Sequence, residues 1–88
     1  MGAVDREKVE EELGKIILSL DKGVHLETTL QEEGRWVAIL SKGSHIDRAI
    51  LSQDLLDGFL NKRAGEKELR QALGKVIGKL NRMAQRRR

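Results

Sequence analysis

Lys75, Lys79, Arg82 and Arg86 recur at intervals of three and four residues near the end of the chain. On a helix turning about 100° per residue they fall within roughly 60° of one another. Arg87 and Arg88 prolong the row. A ridge of fixed cations at this spacing suits a phosphate backbone, to which Lys and Arg bind by releasing condensed counterions. The competing reading is a solvated face whose cations complement the negative end of the helix dipole.

Other combinations carry less chemistry. His25 and His45 stand at strand starts or turns without a third donor, and a metal site needs at least three converging ligands. Ser44, His45 and Asp47 supply the residue types of a hydrolytic triad. Neighbours in an extended chain point in opposite directions, so these three cannot assemble one. Asp54 and Asp57, three apart, read as solvated helix acids. Gly23, Gly34, Gly43 and Gly65 are isolated turn glycines, not a phosphate-cradling loop. The chain has no Cys, which removes disulfides, thiolate metal sites and a cysteine nucleophile together. No catalytic residue, metal or cofactor is expected, and the chain reads as a non-enzyme.

Charge is distributed unevenly. Residues 1–33 hold four basic and nine acidic side chains, residues 34–60 three of each, and residues 61–88 ten basic and two acidic. The net +3 therefore conceals an acidic first third and a strongly basic last third. Such asymmetry suggests a polyanionic partner. It also lets Glu10, Glu11 and Glu12 compete for the ridge if the first and last helices pack side by side. No segment is apolar enough to cross a bilayer and the amino terminus is charged at once, so a cytoplasmic location is expected.

The elements that must position these residues follow from periodicity. Val9, Leu13, Ile16, Ile17 and Leu20 mark a first helix, with Asp5 as N-cap, Glu10 to Glu12 mostly on the wet side, and Gly23 as a left-handed terminator. Val24, Leu26, Thr28 and Leu30 alternate with polar residues as one strand face, and Glu32-Glu33-Gly34 turns the chain. Residues 35–41 form a second strand, apolar from Trp36 to Leu40, which predicts a central strand covered on both faces. After the Lys42-Gly43-Ser44 turn, residues 46–51 predict a third strand, with a helix as the competing reading. Ser52 caps a short helix carrying Leu55, Leu56, Phe59 and Leu60. Ala64-Gly65 breaks the chain before a last helix striped by Leu69, Ala72, Leu73, Val76, Ile77, Leu80 and Met83.

The fold is thus an α+β domain spanning residues 1–85, a three-stranded antiparallel β-meander with helices in the order α-β-β-β-α-α. Residues 86–88 form a basic tail, expected to be frayed. This order resembles that of double-stranded-RNA-binding domains, which carry a basic cluster where the helix after the third strand begins. Here that position reads Ser52-Gln53-Asp54-Leu55-Leu56-Asp57, so the resemblance ends at topology.

Two functions fit. The first is non-specific nucleic-acid binding through phosphates by Lys75, Lys79, Arg82, Arg86, Arg87 and Arg88. The second is a non-catalytic association module, a homodimer in its simplest form. Whichever face of the second strand the helices leave open, Trp36/Ala38/Leu40 or Val37/Ile39, becomes an apolar patch of the kind that marks association. Trp36, Ala38 and Leu40 are nominated for that interface. Gly74 and Gly78 join them, because paired interior glycines cost helix stability and suit close approach of another backbone.

Overall fold

The computed structural model describes residues 6–85. Helix α1 (Arg6–Leu20) leads into strands β1 (His25–Glu32), β2 (Arg35–Lys42) and β3 (His45–Ser52), followed by helices α2 (Gln53–Lys62) and α3 (Glu66–Gln85). The strands form one antiparallel sheet in the order β1-β2-β3. This is the predicted α+β meander, and residues 45–52 are strand. The Asp5 cap and the Arg86–Arg88 tail lie outside the described residues.

Both hairpins close more tightly than their sequences suggest. Lys42 pairs with His45 and Glu32 with Arg35, leaving only Gly43-Ser44 and Glu33-Gly34 in the turns. Gly34 and Gly43 take positive φ values of 76° and 61°, conformations a Cβ disfavours. Gly23 does not play the expected terminator role. Its φ is not positive; its N–H instead donates to Asp21 Oδ1 at 2.8 Å, so a side chain ends α1. Ser52 caps α2 as expected, accepting from Leu55 N–H at 3.0 Å. Arg63, left-handed with φ 55°, ends that helix.

The core is one-sided. Trp36, Ala38 and Leu40 of β2, with Ala49 and Leu51 of β3, lie under Leu13, Ile17, Leu56, Phe59, Leu69, Leu73 and Leu80 from the three helices. The strand is central as expected, but no described helix lies on its second face, where Val37 is sheltered only by its neighbours within the sheet. Helix α1 packs along β1, while α2 and α3 pack on β2 and β3, all against the Trp36 side. Three short helices suffice for one face of a three-stranded sheet and leave nothing for the other.

Strand β1 also departs from simple alternation. Leu26 pairs with Leu40 but Thr28 pairs with Ile39, so Glu27 is an extra residue, a β-bulge. The bulge exchanges faces. Leu26 packs on the core, whereas Leu30 is turned away and Thr29 is buried in its place. Glu10 of α1 accounts for Thr29, accepting from its backbone N–H at 3.1 Å and its Oγ1 at 3.0 Å. That contact covers a backbone donor an edge strand would otherwise leave open.

Candidate nucleic-acid interface

The ridge is set by α3. Leu69, Leu73, Ile77 and Leu80 anchor one side of this 20-residue helix in the core. Arg70 and Asn81, on one flank, turn toward α1: Arg70 donates to Ser19 Oγ at 3.2 Å, and Asn81 Nδ2 donates to Asp21 Oδ2 at 2.9 Å. Helical geometry then places Lys75, Lys79 and Arg82 on the opposite flank, beside β3. All three are exposed.

Their electrostatic surroundings differ. Lys79 pairs with Asp47 of β3 at 3.2 Å. Asp47 titrates below the ordinary carboxylate value, chiefly because Arg48 N–H donates to it and secondly because of Lys79. Among the described residues, Lys75 and Arg82 take no ion pair. Glu10, Glu11 and Glu12 of α1 find their partners away from this flank. Glu10 serves Thr29 and Arg6, Glu11 pairs with Lys15, and Glu12 pairs with Lys15 and Arg63. Glu12 is also only 8% exposed, contrary to the wet side expected for it.

A second polar cluster locks the end of the sheet beside the ridge. Asp21 accepts from Asn81, from Gly23 N–H and from Lys42, and Lys42 also donates to Asn81. These bonds, Asn81 foremost, hold the Asp21 carboxyl at a pKa of about 2. Next to this cluster an open cleft of about 850 Å³ runs between the β2–β3 turn and the last turn of α3, lined by Ser44, His45 and Met83. Asp47 is engaged by Arg48 and Lys79 and makes no hydrogen bond to His45, so Ser44, His45 and Asp47 do not come together as a relay. Among the described residues no group of three His, Cys, Asp or Glu side chains converges as a metal site. Among the same residues no helix is long and apolar enough to cross a membrane.

The nominated interface residues separate. Trp36, Ala38 and Leu40 are buried beneath the helices and offer no surface, because the helices settle on their side of the sheet; on the opposite face Val37 is buried too, and the exposed apolar residues are Leu30, Ile46 and Ile50 of the flanking strands. Trp36 Nε1 lies buried without a hydrogen-bond partner, so the ring serves as packing volume. Gly74 and Gly78 face open space. A Cβ at Gly74 would meet nothing within 4 Å, and one at Gly78 only Arg82 Nη1 at 3.9 Å. Among the described residues, no backbone outside the helix approaches them. Sequence reasoning missed Asp47 as the ridge's carboxylate, since nothing local links it to a helix 32 positions away. It also missed Leu30, Ile46 and Ile50, whose exposure follows from the bulge and the one-sided packing. No family model, characterised protein or solved structure matches the chain, and its geometry alone informs its function.

Proposed function

We propose that this protein binds nucleic acid along the phosphate backbone, without sequence readout, through Lys75, Lys79 and Arg82 of α3 continued by Arg86, Arg87 and Arg88. One observation carries the reading: Lys75 and Arg82 stand exposed without an ion pair among the described residues, while Glu10, Glu11 and Glu12 of α1 are engaged elsewhere. Cations held on a rigid helix and unneutralised by their own chain exchange counterions for phosphates at little ordering cost. Stacking on bases is not part of the mechanism, because Trp36 and Phe59 are both buried. The activity belongs in the cytoplasm, where nucleic acid is the abundant polyanion.

Fluorescence anisotropy with a generic labelled duplex, from about 50 mM to about 300 mM salt, tests it. The log–log slope is expected near −4, for about four or five neutralised phosphates. Lys75→Glu with Arg82→Glu removes the binding while leaving the fold intact, since both side chains lie outside the core. A flat salt response, or no binding at low salt, overturns the reading.

A further inference from the structure

The uncovered sheet face carries an independent feature. Leu30, Val37 and Ile50 stand side by side across β1, β2 and β3, because Leu30 pairs with Val37 and Val37 with Ile50. Ile39 lies in the next row between Thr28 and Arg48, and Ile46 pairs with Ser41 in the row after. Leu30, Ile50 and Ile46 are 48%, 55% and 64% exposed, while Val37 is sheltered between its cross-strand neighbours. Two charges frame this aliphatic stripe on opposite edges. Glu27 on the β1 bulge accepts from Ser41 Oγ, and Arg48 projects from β3. Neither takes an ion pair among the described residues.

We propose that this face is covered by the same face of a second copy, related by a two-fold axis parallel to the strands, giving a dimer layered helices–sheet–sheet–helices. The charge pattern selects both occupant and axis. A two-fold along the strands lays β1 of one copy over β3 of the other. Leu30 then meets the partner's Ile50, Ile39 faces its own copy across the axis, and Glu27 comes diagonally within reach of the partner's Arg48. Each contact occurs twice, as an isologous interface requires. A two-fold across the strands would set β1 on β1 and bring Glu27 toward the partner's Glu32, a carboxylate already paired with Arg35 at 2.8 Å, so Glu27 and Arg48 would both lack a partner. Packed sheets lie about 10 Å apart, close enough for the aliphatic side chains to interdigitate and for Glu and Arg to span the gap.

Size sets the strength. Three strands of eight residues present a footprint of about 14 Å by about 27 Å, roughly 400 Å² per copy, below the roughly 800 Å² per partner of a typical stable interface. The dimer is therefore weak and concentration-dependent.

Sedimentation equilibrium of the full chain from about 5 µM to about 500 µM is expected to show this monomer–dimer equilibrium. Ile50→Asp and Leu30→Asp both alter exposed positions, keep the circular dichroism spectrum of the parent, and weaken the dimer at least about tenfold. Glu27→Arg and Arg48→Glu each weaken it about tenfold, and the two together restore it to within about threefold of the parent. A strict monomer across that range overturns the proposal, whether or not the face then takes up a detergent or lipid. So does a dimer indifferent to Ile50→Asp, which would associate through strand edges or helices. Single charge reversals without recovery in the double variant overturn the stated axis.

Discussion

Asp21 ties together three separate parts of the molecule. It ends α1 through Gly23 N–H, holds Asn81 of α3, and pairs with Lys42 at the end of β2 at 3.1 Å. Its pKa is lowered to about 2 from an ordinary 3.8. A carboxyl depressed in the folded state favours folding at pH values above its unfolded pKa, and that contribution disappears as pH falls through the folded value. The shift corresponds to about 2 kcal/mol, fully present at neutral pH and lost between about pH 4 and about pH 2. Urea unfolding at a series of pH values checks this against Asp21→Asn. The variant is expected to be less stable by about 2 kcal/mol at pH 7 and to converge with the parent near pH 2. Asp47 is depressed too and loses its contribution in the same acid direction, which is why the difference between the two curves is the informative quantity. Parallel curves would mean that the cluster is held by neutral hydrogen bonds alone.

At the level of elements, α3 carries an avoidable cost. Gly74 and Gly78 sit in its interior with ordinary helical backbone and room for a methyl group. Each glycine lowers helix stability by about 1 kcal/mol relative to Ala. Gly74→Ala is expected to stabilise the domain by about that amount, and Gly78→Ala by slightly less because its methyl meets Arg82; thermal unfolding measures both. A loss of stability at Gly74 would reveal a neighbour that presses on this flank. The same helix shows what local pattern conveys. Its stripe from Leu69 to Met83 fixes which side is buried, so Lys75, Lys79 and Arg82 could be placed on one flank from spacing alone. Hairpins were equally legible, because Gly34 and Gly43 interrupt apolar runs where a positive φ is needed. What spacing does not encode is the side of the sheet that three helices choose. Trp36/Ala38/Leu40 and Val37/Ile39 are both apolar, and only long-range packing decides which of the two faces the helices cover. The bulge at Glu27 compounds this, since one inserted residue sends Leu26 and Leu30 to opposite faces of a strand whose letters alternate regularly.

Across the whole molecule, Asp47 is the one carboxylate, among the described residues, that forms an ion pair with a cation of the ridge. Asp47 emerges from β3 on the side where α3 packs and holds Lys79 at 3.2 Å, so one of the three described ridge cations is already partly neutralised. Glu10, Glu11 and Glu12 of α1 are held by Thr29, Arg6, Lys15 and Arg63, Asp21 by Lys42 and Asn81, and Glu66 by Arg70, away from the ridge. Removing the Asp47 charge therefore changes the field of the ridge without touching the core or any direct contact with a phosphate. Asp47→Asn is expected to strengthen duplex binding at low salt and to steepen the log–log salt slope by about one, the value of one additional counterion released. A surface pair of this kind contributes about 1 kcal/mol or less to folding, so the domain remains folded and the comparison stays clean. Lys79→Gln provides the converse. It should flatten the parent slope only partly, because Lys79 is half engaged, but should cost the full increment in the Asp47→Asn background. Non-additivity of that sign, read from the four salt titrations, would tie the polyanion affinity to this flank of α3 rather than to the net charge of the chain.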